Sequence, residues 1–531
     1  MEPHEFVAAH EETVRPLMTE GALAWWGLNT TGEEEHAERS REIREQVGKI
    51  YANADDYGRL KAWDEAGEAG ERIGDATLAR QIRLLHLDYA GSQQDEETIR
   101  REAELGTKLS QLFTNFRPEV GGEAISQNDL LKILTDGTDS GARREAWEAS
   151  HAVGREARAD ILDLVALRNE TATKLGYRDY YQMSLTLSEI DEDDLFATLD
   201  RLEELCAEPF ASAKAVLDEE LAERLGVARD DLMPWHYADP FFQSAPPSGG
   251  VDLDGVFADA DIADLTVRTY DGLGLQIRSM LEGSDLYPRD GKCEHAFCIN
   301  IDREGDVRVL CNIAPSERWM TTMLHEFGHA VYDRFISPDL PFFLRRPAHA
   351  LSTEAVAILM QRFTQDAAWL ATVGGVGVER AAELAEGILA RARLEKLIFV
   401  KWCLVMCHFE RALYGDPDAD RNRLWWDLRE RFQLVKRPGG RDEPDWAAKI
   451  HLAVAPVYYQ NYLLGELMAS QLEAHLREQS STGEMVNSRA VGRTLVDRLF
   501  RPGRLRPWNE ALERVTGEAL NPEHFLTQYG V

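Results

Sequence analysis

A mainly α-helical fold is predicted by two features of this sequence. Apolar residues recur at intervals of three and four through most of its length, with charged residues between them. The alternation that marks a β-strand stands out at 296–313 alone. A third feature points to where such helices do chemistry. Residues 321–331 read TTMLHEFGHAV and contain the run His325-Glu326-Phe327-Gly328-His329.

Taken in order, residues 1 to about 115 read as charged helices with apolar stripes, among them ALAWWGL, EEHAERSREIREQVGKIYA and ATLARQIRLLHLDYA. The charge runs are solvated helix faces. Further amphipathic helices follow from about 125 to 230, with a turn at Gly176-Tyr177, and no fixed-period repeat suggests a solenoid. Residues 233–255 are rich in Pro, Gly and aromatics, as expected of a cleft wall or of a plain surface connection. AFCINID and DVRVLCNI flank Arg303-Glu304-Gly305 and read as a hairpin whose free edge could hold an extended peptide. Helices are then expected at the motif and at 352–370, 379–414 and 456–477, with Pro456 opening the last of these.

Composition bounds the function. Across 531 residues the net charge is −34, which argues against partners such as nucleic acid or an anionic membrane surface. The six cysteines form no pair of CxxC motifs. The first residues lack an apolar targeting core, and the longest apolar stretch, 397–409, is interrupted by Lys401 and too short to span a bilayer. The expectation is a soluble cytoplasmic protein with reduced thiols.

On a helix a four-residue step turns about 400°, so His325 and His329 lie on one face, one turn apart. Two neutral imidazoles so placed can bind Zn²⁺, and Glu326 projects beside them where a carboxylate can take a proton from activated water. Pro315-Ser316-Glu317 supplies an N-cap signal. Met320, Met323, Leu324, Phe327 and Val331 bury the helix, and a buried helix with two His and a Glu needs partners for all three.

A catalytic zinc takes a third protein ligand and keeps one position open. The candidates downstream are Asp333, Asp339, His349 and Glu354. Asp333 continues the same helix at a poor angle. Glu354 lies in an apolar helix beyond the turn SPDLP, where its charge would be stranded without a cation, and it is the choice here, with His349 as the alternative.

The run DLPFFLRRPAHALSTEAVA after HEFGHAVYD resembles the gluzincin zinc peptidases related to angiotensin-converting enzyme, and more distantly the thimet oligopeptidases. The resemblance extends to ALAWWGLNTT, KCEHAFC, RLWWDLRERFQ and AAKIHLAVAPVYYQNYLLGELMASQL, and is strongest over about 290–475. It implies one zinc per chain held by His325, His329 and Glu354, with Glu326 as general base and acid. His295 and Ala296 resemble residues that bind the substrate backbone, Lys449 and Tyr459 resemble binders of its terminal carboxylate, and His451 and Tyr462 resemble oxyanion stabilisers. Tyr459 and Tyr462, at i and i+3, share a helix face independently of any resemblance.

The sequence also departs from that pattern. Asn461 precedes Tyr462 where the family has a chloride-binding arginine, and Ile358 stands where an acid supports a zinc ligand. The carboxylate-binding glutamine has no obvious counterpart near Trp235, His236 and Tyr237, and His451 is separated from Tyr459 by one residue more than in the family. The expectation is a single peptidase domain over 1–531, a helical body split by a deep substrate cleft with a small sheet at the active site. Residues 1–115 would form a lid and 290–475 the zinc-site half. The activity implied is hydrolysis of short peptides, releasing C-terminal dipeptides. The alternatives are an endo-acting oligopeptidase or an idle zinc- and peptide-binding protein, the last disfavoured by the retained Glu326.

Overall fold

Helices dominate because the sequence supplies both their apolar stripes and their start signals. In the computed structural model, which describes all residues except 69–74, 247–252 and 417, Asp75, Asp95, Asp139, Asp179, Asp191 and Asp261 each cap a helix by accepting a backbone N–H. Part of the acidic surplus therefore sits where a helix N-terminus welcomes negative charge. Two small antiparallel pairs, Glu119–Val120 with Glu123–Ala124 and Phe297–Asn300 with Val307–Leu310, are the strands among the described residues.

The chain divides into two compact units. The first gathers Met1–Gln93, Val251–Ile388 and Leu464–Gln528, and the second Gln94–Gly250, Leu389–Leu463 and Tyr529–Val531. In the first unit the helices Pro3–Thr31, Glu34–Tyr51, Ala54–Glu68 and Ala76–Ala90 bury Phe6, Val14, Tyr51, Leu60, Leu85 and Tyr89 in one cluster with Phe342 and Phe343. Trp25 and Trp26 near the end of the first helix pack against Phe297 of the hairpin, so this helix reaches the strand that adjoins the motif. The core of the second unit is aromatic. Trp147, Trp402, Trp425, Trp426 and Trp446 are fully buried, with Trp147 and Trp426 rings 6.1 Å apart and Trp402 and Trp425 rings 5.8 Å apart.

Several boundaries differ from expectation, each for a local reason. The hairpin strands are shorter because Asp302 Oδ1 accepts the N–H groups of Glu304, Gly305 and Asp306 and closes the turn early, with Arg303 at φ 58°. The helix expected at 352–370 is three pieces, Ala350–Gln361, Arg362–Gln365 and Ala367–Thr372, because Asp366 caps the last one through the Trp369 N–H at 2.9 Å. The last site helix begins at Tyr459, not Pro456, because Val457 is left-handed at φ 53°.

Candidate active site

In the first unit the motif helix, Glu317–Phe335, starts at Ser316, whose hydroxyl accepts the Trp319 N–H at 3.3 Å. It packs on the helix Ala350–Gln361 at a distance set by Gly328: a Cβ there would lie 2.7 Å from the Ala357 Cα. This close approach is what lets the second helix supply three side chains to the first. Glu354 brings its carboxylate oxygens to 3.7 Å from both His325 Nε2 and His329 Nε2, which are themselves 3.2 Å apart. Gln361 and Thr353 hold the other ring nitrogens, with 2.8 Å between His325 Nδ1 and Gln361 Oε1 and 2.8 Å between His329 Nδ1 and Thr353 Oγ1.

These positions test whether zinc fits. The Gln361 oxygen only accepts, so His325 donates Nδ1–H to it and turns Nε2 towards His329 and Glu354. Burial above all, then the neighbouring His325, lowers the His329 pKa to about 3, so its ring is neutral. Two imidazole nitrogens and a carboxylate thus converge with all three ligand atoms within 4.8 Å of one another. A tetrahedral ion with bonds of about 2.0–2.1 Å spaces its ligands about 3.4 Å apart, so the set fits Zn²⁺. His349, the alternative third ligand, instead caps its helix by accepting the Leu351 N–H at 2.9 Å. Asp333 hydrogen-bonds Asn300.

Glu326 is 8% exposed and its carboxylate accepts the Cys298 N–H of the first hairpin strand. Burial pushes its pKa up to about 7, the nearby Glu354 adds to this, and His325 and the Cys298 N–H oppose it. A carboxyl poised there exchanges protons readily near neutrality. Ala296 directly precedes Phe297, the first paired residue of that strand, and His295 beside it is exposed. Ile358 is buried, and the orienting bonds expected of an acid at that place come from Gln361 and Thr353 instead.

The second unit brings together Lys449, His451, Tyr459 and Tyr462. Lys449 is 6% exposed, and its Nζ lies 5.0, 5.1 and 5.7 Å from the ring centres of Phe241, Trp402 and Tyr459. Burial lowers its pKa to about 8, with Asp239 partly offsetting. The His451 and Tyr459 rings are 5.0 Å apart, and Tyr459 and Tyr462 are 5.7 Å apart. Burial, and then Lys449, lowers the His451 pKa to about 4, and its buried Nδ1 makes no hydrogen bond among the described residues.

One residue of this cluster was not read from the sequence. Gln243 Oε1 accepts from Lys449 Nζ at 2.7 Å. It lies six to eight residues beyond Trp235, His236 and Tyr237, which are packed elsewhere: His236 bonds Ser140 at 2.7 Å, and Tyr237 bonds Lys214 at 2.7 Å. The loop that carries Gln243 is shaped by Asp239, which accepts the N–H groups of Phe241, Gln243 and Ser244, and by Gln433, which donates to the carbonyls of Phe241 and Phe242. The signal in the sequence was the Asp-Pro pair opening DPFFQS, an Asx-turn start within the segment read as a cleft wall or a plain surface connection.

The profile of the peptidase M2 family, described as angiotensin-converting enzyme, matches residues 1–213 and 277–529. Among curated proteins, the angiotensin-converting enzyme-like protein Ace3 of Mus musculus is 25% identical over 444 residues, covering 76% of this chain and 59% of that protein. The angiotensin-converting enzyme of Mesocricetus auratus is 22% identical over 574 residues, covering 99% of this chain and 42% of its own length. That of Bos taurus is 22% identical over 559 residues, with 96% and 42% covered. The chain thus spans about half the length of the curated relatives it matches.

Proposed function

Because the chain belongs to the angiotensin-converting enzyme family, we propose that it is a zinc metallopeptidase that releases dipeptides from the C-termini of short peptides. The observation that carries the reading is the convergence of His325, His329 and Glu354 beside the buried carboxyl of Glu326. Zinc, when held by those three residues, supplies a Lewis acid for the scissile carbonyl and lowers the pKa of water. Glu326 takes a proton from water and returns it to the leaving amine, and the Cys298 N–H keeps the carboxyl aimed. The substrate backbone runs along the hairpin edge at Ala296, with His295 as a further donor. Lys449, Gln243 and Tyr459 receive the terminal carboxylate. Tyr462 and the neutral imidazole of His451 donate to the oxyanion.

All six cysteines are free thiols, which supports a reducing, cytoplasmic setting. Among the described residues no helix is long and apolar enough to cross a membrane. The experiment is mass spectrometry of products from a mixed peptide library, with and without chelator. Dipeptides cut from free C-termini and lost on chelation are expected. Zinc retention without cleavage would leave a peptide-binding protein, and interior cleavage indifferent to amidation would leave an endo-acting oligopeptidase.

A further inference from the structure

The chain between His451 and Tyr459 makes a turn that its own residues do not favour. Val457 is left-handed at φ 53°, an outlier for a β-branched residue, and it is buried at 3% exposure. Both polar groups of its backbone are taken by buried side chains: the N–H is donated to Glu410 Oε1 at 2.8 Å, and the carbonyl accepts from Gln460 Nε2 at 2.6 Å. Glu410 comes from the helix Val378–Gly415 and is 1% exposed. Arg168, from the helix Val153–Lys174, faces it. Arg168 donates to the carbonyls of Ala453 at 2.8 Å and Leu452 at 3.4 Å, near the end of the short helix His451–Val454, and to Tyr414 Oη at 3.1 Å. A buried acid and a half-buried cation thus fix the two ends of segment 452–457, whose flanks carry His451 on one side and Tyr459 with Tyr462 on the other.

We propose that Glu410 is a positioning residue: by accepting the Val457 N–H it holds the left-handed turn that aims Tyr459 and Tyr462 at the substrate. The proposal rests on the substrate-binding and oxyanion roles given to those tyrosines above. Backbone strain persists where the surroundings over-determine it, and here the Glu410 carboxyl, which comes from another helix, adds to the grip of Gln460 on the Val457 carbonyl. The groups that face Glu410 are the guanidinium of Arg168, the phenols of Tyr180, Tyr181 and Tyr459, and on its own helix Cys407 and Tyr414. Of these Arg168 alone is charged at neutral pH. Burial pushes the Glu410 pKa up to about 8, against the pull of the Val457 N–H and Arg168, so near neutrality it is mostly a neutral acid accepting through its carbonyl oxygen. Glutamine reproduces that state, and leucine fills the space without an acceptor.

The test compares Glu410→Gln and Glu410→Leu in the full zinc-loaded chain by two readouts, hydrogen exchange at the Val457 amide and kinetics on a free-acid peptide. Glu410→Gln should keep amide protection and turn over within about twofold of wild type at pH 7. Glu410→Leu should exchange the Val457 amide about tenfold faster or more, and lose about tenfold or more in kcat/KM with zinc content unchanged. In a Tyr462→Phe background the Glu410→Leu loss in kcat should largely vanish, because the two changes remove one interaction. Unchanged Val457 protection in Glu410→Leu overturns the proposal, and so does full additivity with Tyr462→Phe, which a merely structural role would give. Absence of hydrolysis by the wild-type chain would instead sink the peptidase reading, and amide exchange on the same samples would still decide whether Glu410 holds the turn.

Discussion

The two functional clusters differ in what their atoms offer. In the first unit His325 Nε2, His329 Nε2 and the Glu354 carboxylate face one another, an arrangement that a metal ion can bridge. In the second unit Lys449, His451, Tyr459 and Tyr462 present donors, and burial has made them reluctant to stay unpaired: Lys449 borrows an oxygen from Gln243. Under the proposed function one cluster takes a metal ion and the other an anion.

That division can be broken or sharpened by substitution. The largest effect belongs to the acid of the first cluster. Glu326→Gln should keep zinc, measured by metal analysis, and lower kcat by about 10²–10⁴-fold, measured in steady-state assays. Near-normal turnover would remove it from the mechanism. On the donor side, Tyr462→Phe should lower kcat by about 10²–10³-fold with KM little changed, because an oxyanion donor acts in the transition state. An effect confined to KM would move Tyr462 among the carboxylate binders.

The next pair separates ligand from support within the first cluster. Glu354→Ala should lose zinc on dialysis. Gln361→Ala, which removes only the acceptor that orients His325, should weaken zinc affinity by about 10–100-fold in a competition titration. Equal zinc affinity in wild type and Gln361→Ala would mean that the ring needs no orienting partner.

The smallest effect concerns the anion side. Lys449→Ala or Gln243→Ala should cut kcat/KM for free-acid peptides by about tenfold or more and leave amidated peptides unchanged. Lys449 must be protonated to meet a carboxylate, and burial has lowered its pKa to about 8. As pH rises through about 8 the free enzyme loses that charge, so kcat/KM for free-acid peptides falls there while amidated peptides show no such limb. Loss of zinc in either variant would show that the division between clusters is false.

How much of this was legible follows the same line. The metal cluster stands on two regular helices, where a spacing of four puts two histidines on one face and an acid in an apolar run reads as stranded. Its supports were not legible. Ile358 holds the place where an acid was sought, and Gln361 serves from one turn further along, a choice that depends on how the two helices are stacked. The donor cluster was half legible. Lys449, His451, Tyr459 and Tyr462 were placed by resemblance, but Gln243 sits on a loop whose path is set by Asp239 and Gln433, 194 positions apart in sequence. The onset of the last helix was misplaced because Pro456 is a good helix starter locally, while the buried Glu410 imposes a left-handed Val457 after it.

Gly328 carries a last consequence for how such motifs are read. The letter it fills coordinates nothing and titrates nothing, yet a methyl group there would run into the backbone of the neighbouring helix at Ala357. Thr353, Glu354 and Gln361 all ride on that helix, so a wider gap would carry the three away together. No later substitution could then restore one without the others. A genome-wide pattern that leaves this letter open will therefore gather helices whose neighbours stand too far off to complete a site. A pattern that asks for the smallest residue there selects on the thickness of the second helix, a property that neither histidine reports.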